Sequence, residues 1–194
     1  GLVPLAFVTI PAIKPRPRGT TSRRFAALTV LKQRPVRTAV GIGAISQGIM
    51  VFLMIPTPLA MIGCGFSETI AGDVIRWHVV AMFAPSFFTG FLIKRFGTKR
   101  IATTGLILLI MAALIAAGGL SSANFYGSLI LLGVGWNFLF LTGTSLLPQS
   151  YKNSERHKVQ ATNDFILFGF QAAASLLAGW VLFTAGWHWV VITS

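Results

Sequence analysis

The chain has 194 residues, of which 54% are hydrophobic and only 10% charged, with a mean hydropathy of +0.75. Water-soluble domains carry about a quarter charged residues, so these values exclude an ordinary soluble fold and indicate a membrane protein. Sixteen Lys and Arg against four acids leave a net charge of +12, which would suit either nucleic acid or an anionic surface until the charges are placed along the chain.

A transmembrane helix needs about 20 mostly apolar residues. The first apolar segment, residues 1–13, is shorter than that. Lys14, Arg16 and Arg18 follow it, the reverse of a signal peptide, so it is expected to be the end of a truncated helix. Residues 14–35 are expected to form a basic linker, where Pro15, Pro17 and Gly19 argue against helix. Within it, residues 25–31 would suit a short amphipathic helix on the membrane surface. Five complete spans are predicted at about residues 36–62, 73–93, 101–120, 125–147 and 161–184, and residues 187–194 read as the start of another. The chain begins at Gly1 and its last apolar run is interrupted at Ser194, which gives the expectation of a piece of a longer protein.

The loops alternate in charge. Eight basic residues lie in 14–37, four more (Lys94, Arg95, Lys99 and Arg100) after the second span, and Lys152, Arg156 and Lys158 after the fourth. The intervening loops at 63–72, 121–124 and 185–186 have no Lys or Arg. Fifteen of the sixteen basic residues thus fall on one side, predicted to be cytoplasmic by the positive-inside rule. A nucleic-acid surface would gather its charges on one folded face beside stacking aromatics, so that class is excluded.

Between the second and third spans the sequence reads Gly90-Phe91-Leu92-Ile93-Lys94-Arg95-Phe96-Gly97-Thr98-Lys99-Arg100. Gly90 would permit close helix approach and Gly97 a tight turn, with the basic residues held at an anionic leaflet. The segment resembles the cytoplasmic loop signature of the major facilitator superfamily. Gly90, Arg95, Gly97 and Lys99 match it, whereas Lys94 stands in place of its acid and Thr98 in place of a basic residue. The resemblance is to the weaker copy that follows helix eight in that family. It implies an all-α, polytopic integral membrane fold: residues 1–13 as the end of helix six, 14–35 as the linker between halves, and 36–194 as the carboxyl-terminal half, with helices seven to eleven complete and helix twelve begun. The segments at 77–90 and 56–61 resemble a group of bacterial carriers within the superfamily that includes drug-type and riboflavin-type members.

Polar groups inside spans are costly, so each is a functional candidate. Gln47, Met50, Met54, Thr57 and Met61 share one helical face. Asp164, Phe168, Gln171 and Ser175 share another. Either stripe lines a substrate cavity or fills helix contacts, and the Met residues would suit varied apolar ligands. Arg76 is the one basic residue away from the cytoplasmic edge. It either pairs with Asp73 three residues before it or faces an anionic substrate or proton-carrying acid. Asp164 is either a carboxylate favoured by the helix dipole near a helix start or a gate or proton site. Trp136 and Asn137 follow Gly133-Val134-Gly135 in mid-span; the resemblance would put them on helix ten, among the cavity-lining helices, with Asn137 the stronger candidate. His78, beside Trp77, is expected at the outer interface.

The three histidines, at 78, 157 and 188, and the single cysteine, Cys64, have no metal-ligand spacing. Neither glycine-rich stretch has a nucleotide motif's context, and no nucleophile elbow occurs. No metal, cofactor or enzymatic activity is expected. The expected function is secondary active transport of a small organic molecule by alternating access in a bacterial inner membrane, against an amino-terminal six-helix half, with protons as coupling ion by family implication. The alternative is a permease subunit of an ATP-driven transporter, for which the basic linker would have to dock the ATPase.

Overall fold

The computed structural model describes residues 33–151 and 155–193. The expected helix end at 1–13, nearly all of the linker at 14–35 with its surface helix, and Lys152 lie outside them. The described residues form α1 (Arg34–Met54), α2 (Thr57–Gly63), α3 (Glu68–Phe83), α4 (Ser86–Phe96), α5 (Thr98–Ala117), α6 (Ser122–Leu146), a 3-10 turn at Leu147–Ser150, α7 (Arg156–Ala185) and α8 (Trp187–Thr193). Five stretches are long and apolar enough to cross a membrane: Arg34–Gly63, Glu68–Phe96, Thr98–Ala117, Ser122–Ser150 and Arg156–Ala185.

Two of these spans are interrupted within their length, and the sequence gives the cause. Proline has no N–H to donate and its ring crowds the carbonyl four residues earlier. Pro56 separates α1 from α2, and Pro85 separates α3 from α4. At the first break the Thr57 hydroxyl donates to the Leu53 carbonyl at 2.6 Å, satisfying one polar group opened by the interruption.

The second span begins five residues earlier than its apolar run suggests. The Ser67 hydroxyl accepts the Ile70 N–H and Glu68 occupies the first turn, so an N-cap and a favourable dipole charge extend the helix into its polar flank. The fifth span likewise starts at Arg156.

Helix α6 is the hub. A side chain at Gly135 would press on the Gly105 carbonyl of α5 at 2.9 Å, and one at Gly105 would press on the Gly135 carbonyl at the same distance. At Gly133 it would meet the His78 carbonyl of α3 at 2.8 Å, and at Gly143 the Ala39 carbonyl of α1 at 3.0 Å. Small residues thus let three helices approach one backbone, the packing that serves where lipid removes the hydrophobic drive between helices. Half of the most apolar part of the first and fourth spans is buried, against 11% and 17% for the second and fifth. Phe87, Phe88 and Phe91 of α4 and Phe165, Phe168 and Phe183 of α7 are exposed.

Gly97, at φ 83°, ends α4 and begins α5 as a one-residue turn. Gly90 differs from its expected packing role: a Cβ there would meet no described atom within 4 Å, because α4 turns that face away from its neighbours.

Candidate functional site

Gln47, Trp136 and Gln171 lie at or beside the midpoints of the first, fourth and fifth spans, the depth at which carriers hold substrate. They form one hydrogen-bonded chain. The Trp136 indole N–H donates to Gln47 Oε1 at 3.0 Å, and Gln47 Nε2 donates to Gln171 Oε1 at 3.0 Å. Gln171 Nε2 has no hydrogen-bond partner among the described residues. The Trp136 ring stacks on Phe140, with centroids 4.7 Å apart and planes 13° from parallel. Met50 is buried in the same cluster as Trp136, Met82 and Ala174, with Met54 packed against it.

The structure therefore brings together five of the cavity candidates: Gln47, Met50, Met54, Trp136 and Gln171. Farther along the two helical stripes, Thr57 and Met61 are buried near the Pro56 break, Phe168 is exposed, and Asp164 is exposed, accepting a hydrogen bond from Asn163 Nδ2 at 3.1 Å. Because α7 starts at Arg156, Asp164 lies beyond the first turn, where the dipole's effect has faded. Among the described residues no hydrogen bond links Asp164 to the Gln171 cluster.

Asn137, adjacent to Trp136 on α6, projects elsewhere. It is 1% exposed and locked to the Pro85 break. Its Nδ2 donates to the Met82 carbonyl at 2.8 Å and to Ser86 Oγ at 2.6 Å. The Thr89 hydroxyl, which also reaches the Pro85 carbonyl at 2.8 Å, lies 2.7 Å from Asn137 Oδ1. One amide thus closes the polar groups of a broken helix across a helix interface. Ser86, Thr89 and Phe140 carried no signal of their own in the sequence; a mid-span proline facing a mid-span amide was the available clue.

Arg76 and Asp73 form the local ion pair at 2.7 Å, with the Arg76 side chain 75% exposed. Tyr126 of α6 adds a hydrogen bond from its hydroxyl to Asp73 Oδ2 at 2.8 Å, tying α3 and α6 together near their N-terminal ends. Tyr126 was not among the candidates. His78 is fully buried rather than interfacial: its Nδ1 contacts the Leu129 carbonyl at 2.7 Å. Helix α3 turns His78 against α6, leaving Trp77 on the exposed face. Around the loop signature, Lys94, Arg95, Lys99 and Arg100 are all exposed, and the Arg95 guanidinium sits 5.5 Å from the Phe96 ring centre.

Five long apolar helices around a glycine-lined hub, with amides at mid-span, define a multi-pass α-helical membrane protein. Residues 38–194 match the model of the Major Facilitator Superfamily, and the chain belongs to that family. It is 47% identical over 156 residues to the riboflavin transporter RfnT of Brucella anthropi, an alignment covering 79% of this chain and 39% of the relative. It is also 39% identical over 142 residues to the uncharacterized MFS-type transporter YddS of Bacillus subtilis, covering 71% of this chain and 32% of that protein. The third relative, the uncharacterized MFS-type transporter YdeG of the same organism, is 36% identical over 140 residues, with 71% and 33% covered. The chain thus spans between about a third and two fifths of the length of these relatives. No solved structure matches it.

Proposed function

We propose that this chain is the carboxyl-terminal half of a twelve-helix secondary carrier that moves a small organic molecule, of riboflavin type, across a bacterial inner membrane by alternating access. The observation that carries the reading is the amide and indole chain at mid-span, contributed by three different spans. A carrier of this class holds its substrate at the interface of two halves and rocks one against the other. The sparsely buried second and fifth spans supply faces for an amino-terminal half, and the partial coverage of the relatives leaves length for one. The bacterial relatives support the membrane, and the riboflavin transporter supports the substrate. Proton coupling rests on the family alone. The exposed basic turn at Gly97 supports a cytoplasmic placement of that loop.

Uptake of labelled riboflavin by a vitamin-requiring bacterial strain expressing the complete parent protein tests the reading. Accumulation abolished by a protonophore is the expected result. Accumulation insensitive to the protonophore would remove proton coupling, and no accumulation above the empty strain would remove the vitamin. For orientation, Cys64 is exposed and unpaired on the loop opposite Gly97. In a parent protein with any other cysteines replaced, a membrane-impermeant thiol reagent added outside should label it; labelling only from the cytoplasmic side would invert the topology.

A further inference from the structure

We infer that Trp136 fixes the direction of the mid-span amide chain, so that Gln171 offers N–H donors to a carbonyl oxygen on a neutral, planar heteroaromatic substrate. The inference rests on the carrier reading above and adds a named contact and its polarity.

The argument starts from the indole, which is a donor and never an acceptor. A glutamine amide has one end of each kind, and the two ends are assigned by their partners rather than by shape. Facing the indole N–H, Gln47 must turn its oxygen inward. Its Nε2 then points at Gln171, so Gln171 must present its own oxygen in return. Reversing either amide would set N–H against N–H. The chain ends at Gln171 Nε2, the one amide nitrogen of the pair with neither of its protons bonded among the described residues. Gln171 is only partly buried, so this donor can be reached, and a ligand that supplies an acceptor while excluding water would pair it.

The surroundings narrow the ligand further. Neither of the chain's hydrogen bonds involves a charged side chain. An anionic substrate calls for a cation, and Arg76 is paired with Asp73 on the outer part of α3. Packed beside the chain are the stacked Trp136 and Phe140 rings and the thioethers of Met50 and Met54. Flat aromatic and polarizable thioether surfaces favour a flat ring system. The site therefore reads an acceptor on an uncharged ring, and a ring donor at the same place would be refused.

Equilibrium binding to the purified complete transporter tests this with riboflavin and its two monothione analogues, in which sulfur, a weak acceptor, replaces one or other ring carbonyl oxygen. The wild type should bind one of the two thiones about tenfold more weakly than riboflavin, the size of one buried hydrogen bond. Gln171→Leu should weaken riboflavin about tenfold and bring its ratio to that thione close to one. Trp136→Phe keeps a ring against Phe140 but frees both amides to reverse, so the ratio should fall while riboflavin still binds. Trp136 is here a positioning residue, and a purely structural role would lower both affinities without moving the ratio. If Gln171→Leu does not fold, Trp136→Phe carries the test. Riboflavin binding with the wild-type ratio in the folded variants would overturn the inference and leave the vitamin reading standing. A wild type that binds none of the three flavins would overturn the vitamin reading and this inference together.

Discussion

Two neighbouring residues on α6, Trp136 and Asn137, anchor two polar clusters of opposite character at the same depth. Asn137 uses both ends of its amide on groups exposed by the Pro85 break and is almost completely buried. Trp136 starts a chain that runs through Gln47 to Gln171 and stops with a donor unused. Consecutive residues on a helix point about 100° apart, so one helix serves a fixed interface and a chain with a free donor without either disturbing the other. A closed set of hydrogen bonds holds helices together; an open one is free to bind.

Breaking the closed set should have the largest effect on stability. Asn137→Leu removes the partners of the Met82 carbonyl, Ser86 and Thr89 at once. Single interhelical hydrogen bonds in membranes average about 0.6 kcal/mol and reach about 1.7 kcal/mol, and of the residues left behind Met82 and Thr89 are buried while Ser86 is exposed. A loss of about 3 kcal/mol is expected, measured as the midpoint of unfolding in mixed detergent micelles. A shift no larger than that of an exposed-residue control such as Phe87→Leu would show that the break closes without Asn137.

Gln47→Leu comes next, because it strands the Trp136 N–H and removes the acceptor that fixes its ring. About 1.5 kcal/mol of stability should go with it, together with substrate binding. Retained binding would place the substrate outside this chain of residues.

Gly135→Ala tests the hub rather than either cluster. The added methyl group meets the Gly105 carbonyl at 2.9 Å, a backbone atom that moves only with α5. About 1 kcal/mol of destabilisation is expected, without a change in which substrates bind; an altered preference would mean that the α5–α6 spacing shapes the site.

What was legible in the sequence followed from periodicity and composition. Gln47, Met50 and Met54 share a helical face by spacing alone, and that face does meet Trp136 and Gln171. The five spans and the Gly97 turn are written in apolar length and in the one residue that adopts a positive φ without strain. The pairing of Gln47 with a residue 124 positions away was not legible, because helix faces do not state their partners. Apolar length did not mark the two broken spans, since it runs unbroken through Pro56 and Pro85; the two prolines themselves were the signal, through their backbone chemistry. His78 was misplaced for a related reason. Its neighbour Trp77 suits an interface, but rotation by one residue carries His78 onto the face that Gly133 brings against α6.

The smallest effect on stability should come from Gln171→Leu, and it separates the two clusters most sharply. Gln171 ends the chain: its oxygen satisfies one Gln47 proton, and its own nitrogen satisfies nothing among the described residues. It is only partly buried, so the Gln47 proton left behind on mutation can reach the cavity rather than remain sealed in a helix contact. Leucine adds apolar surface at a partly buried position, and the unfolding midpoint should move by less than about 0.5 kcal/mol. Binding should nevertheless fall about tenfold if, as proposed, the substrate takes up the free donor. A residue whose removal costs binding and not stability belongs to the ligand. Should Gln171→Leu instead unfold the protein as readily as Asn137→Leu, both clusters would be helix cement, and the substrate would have to be sought against other faces of this half.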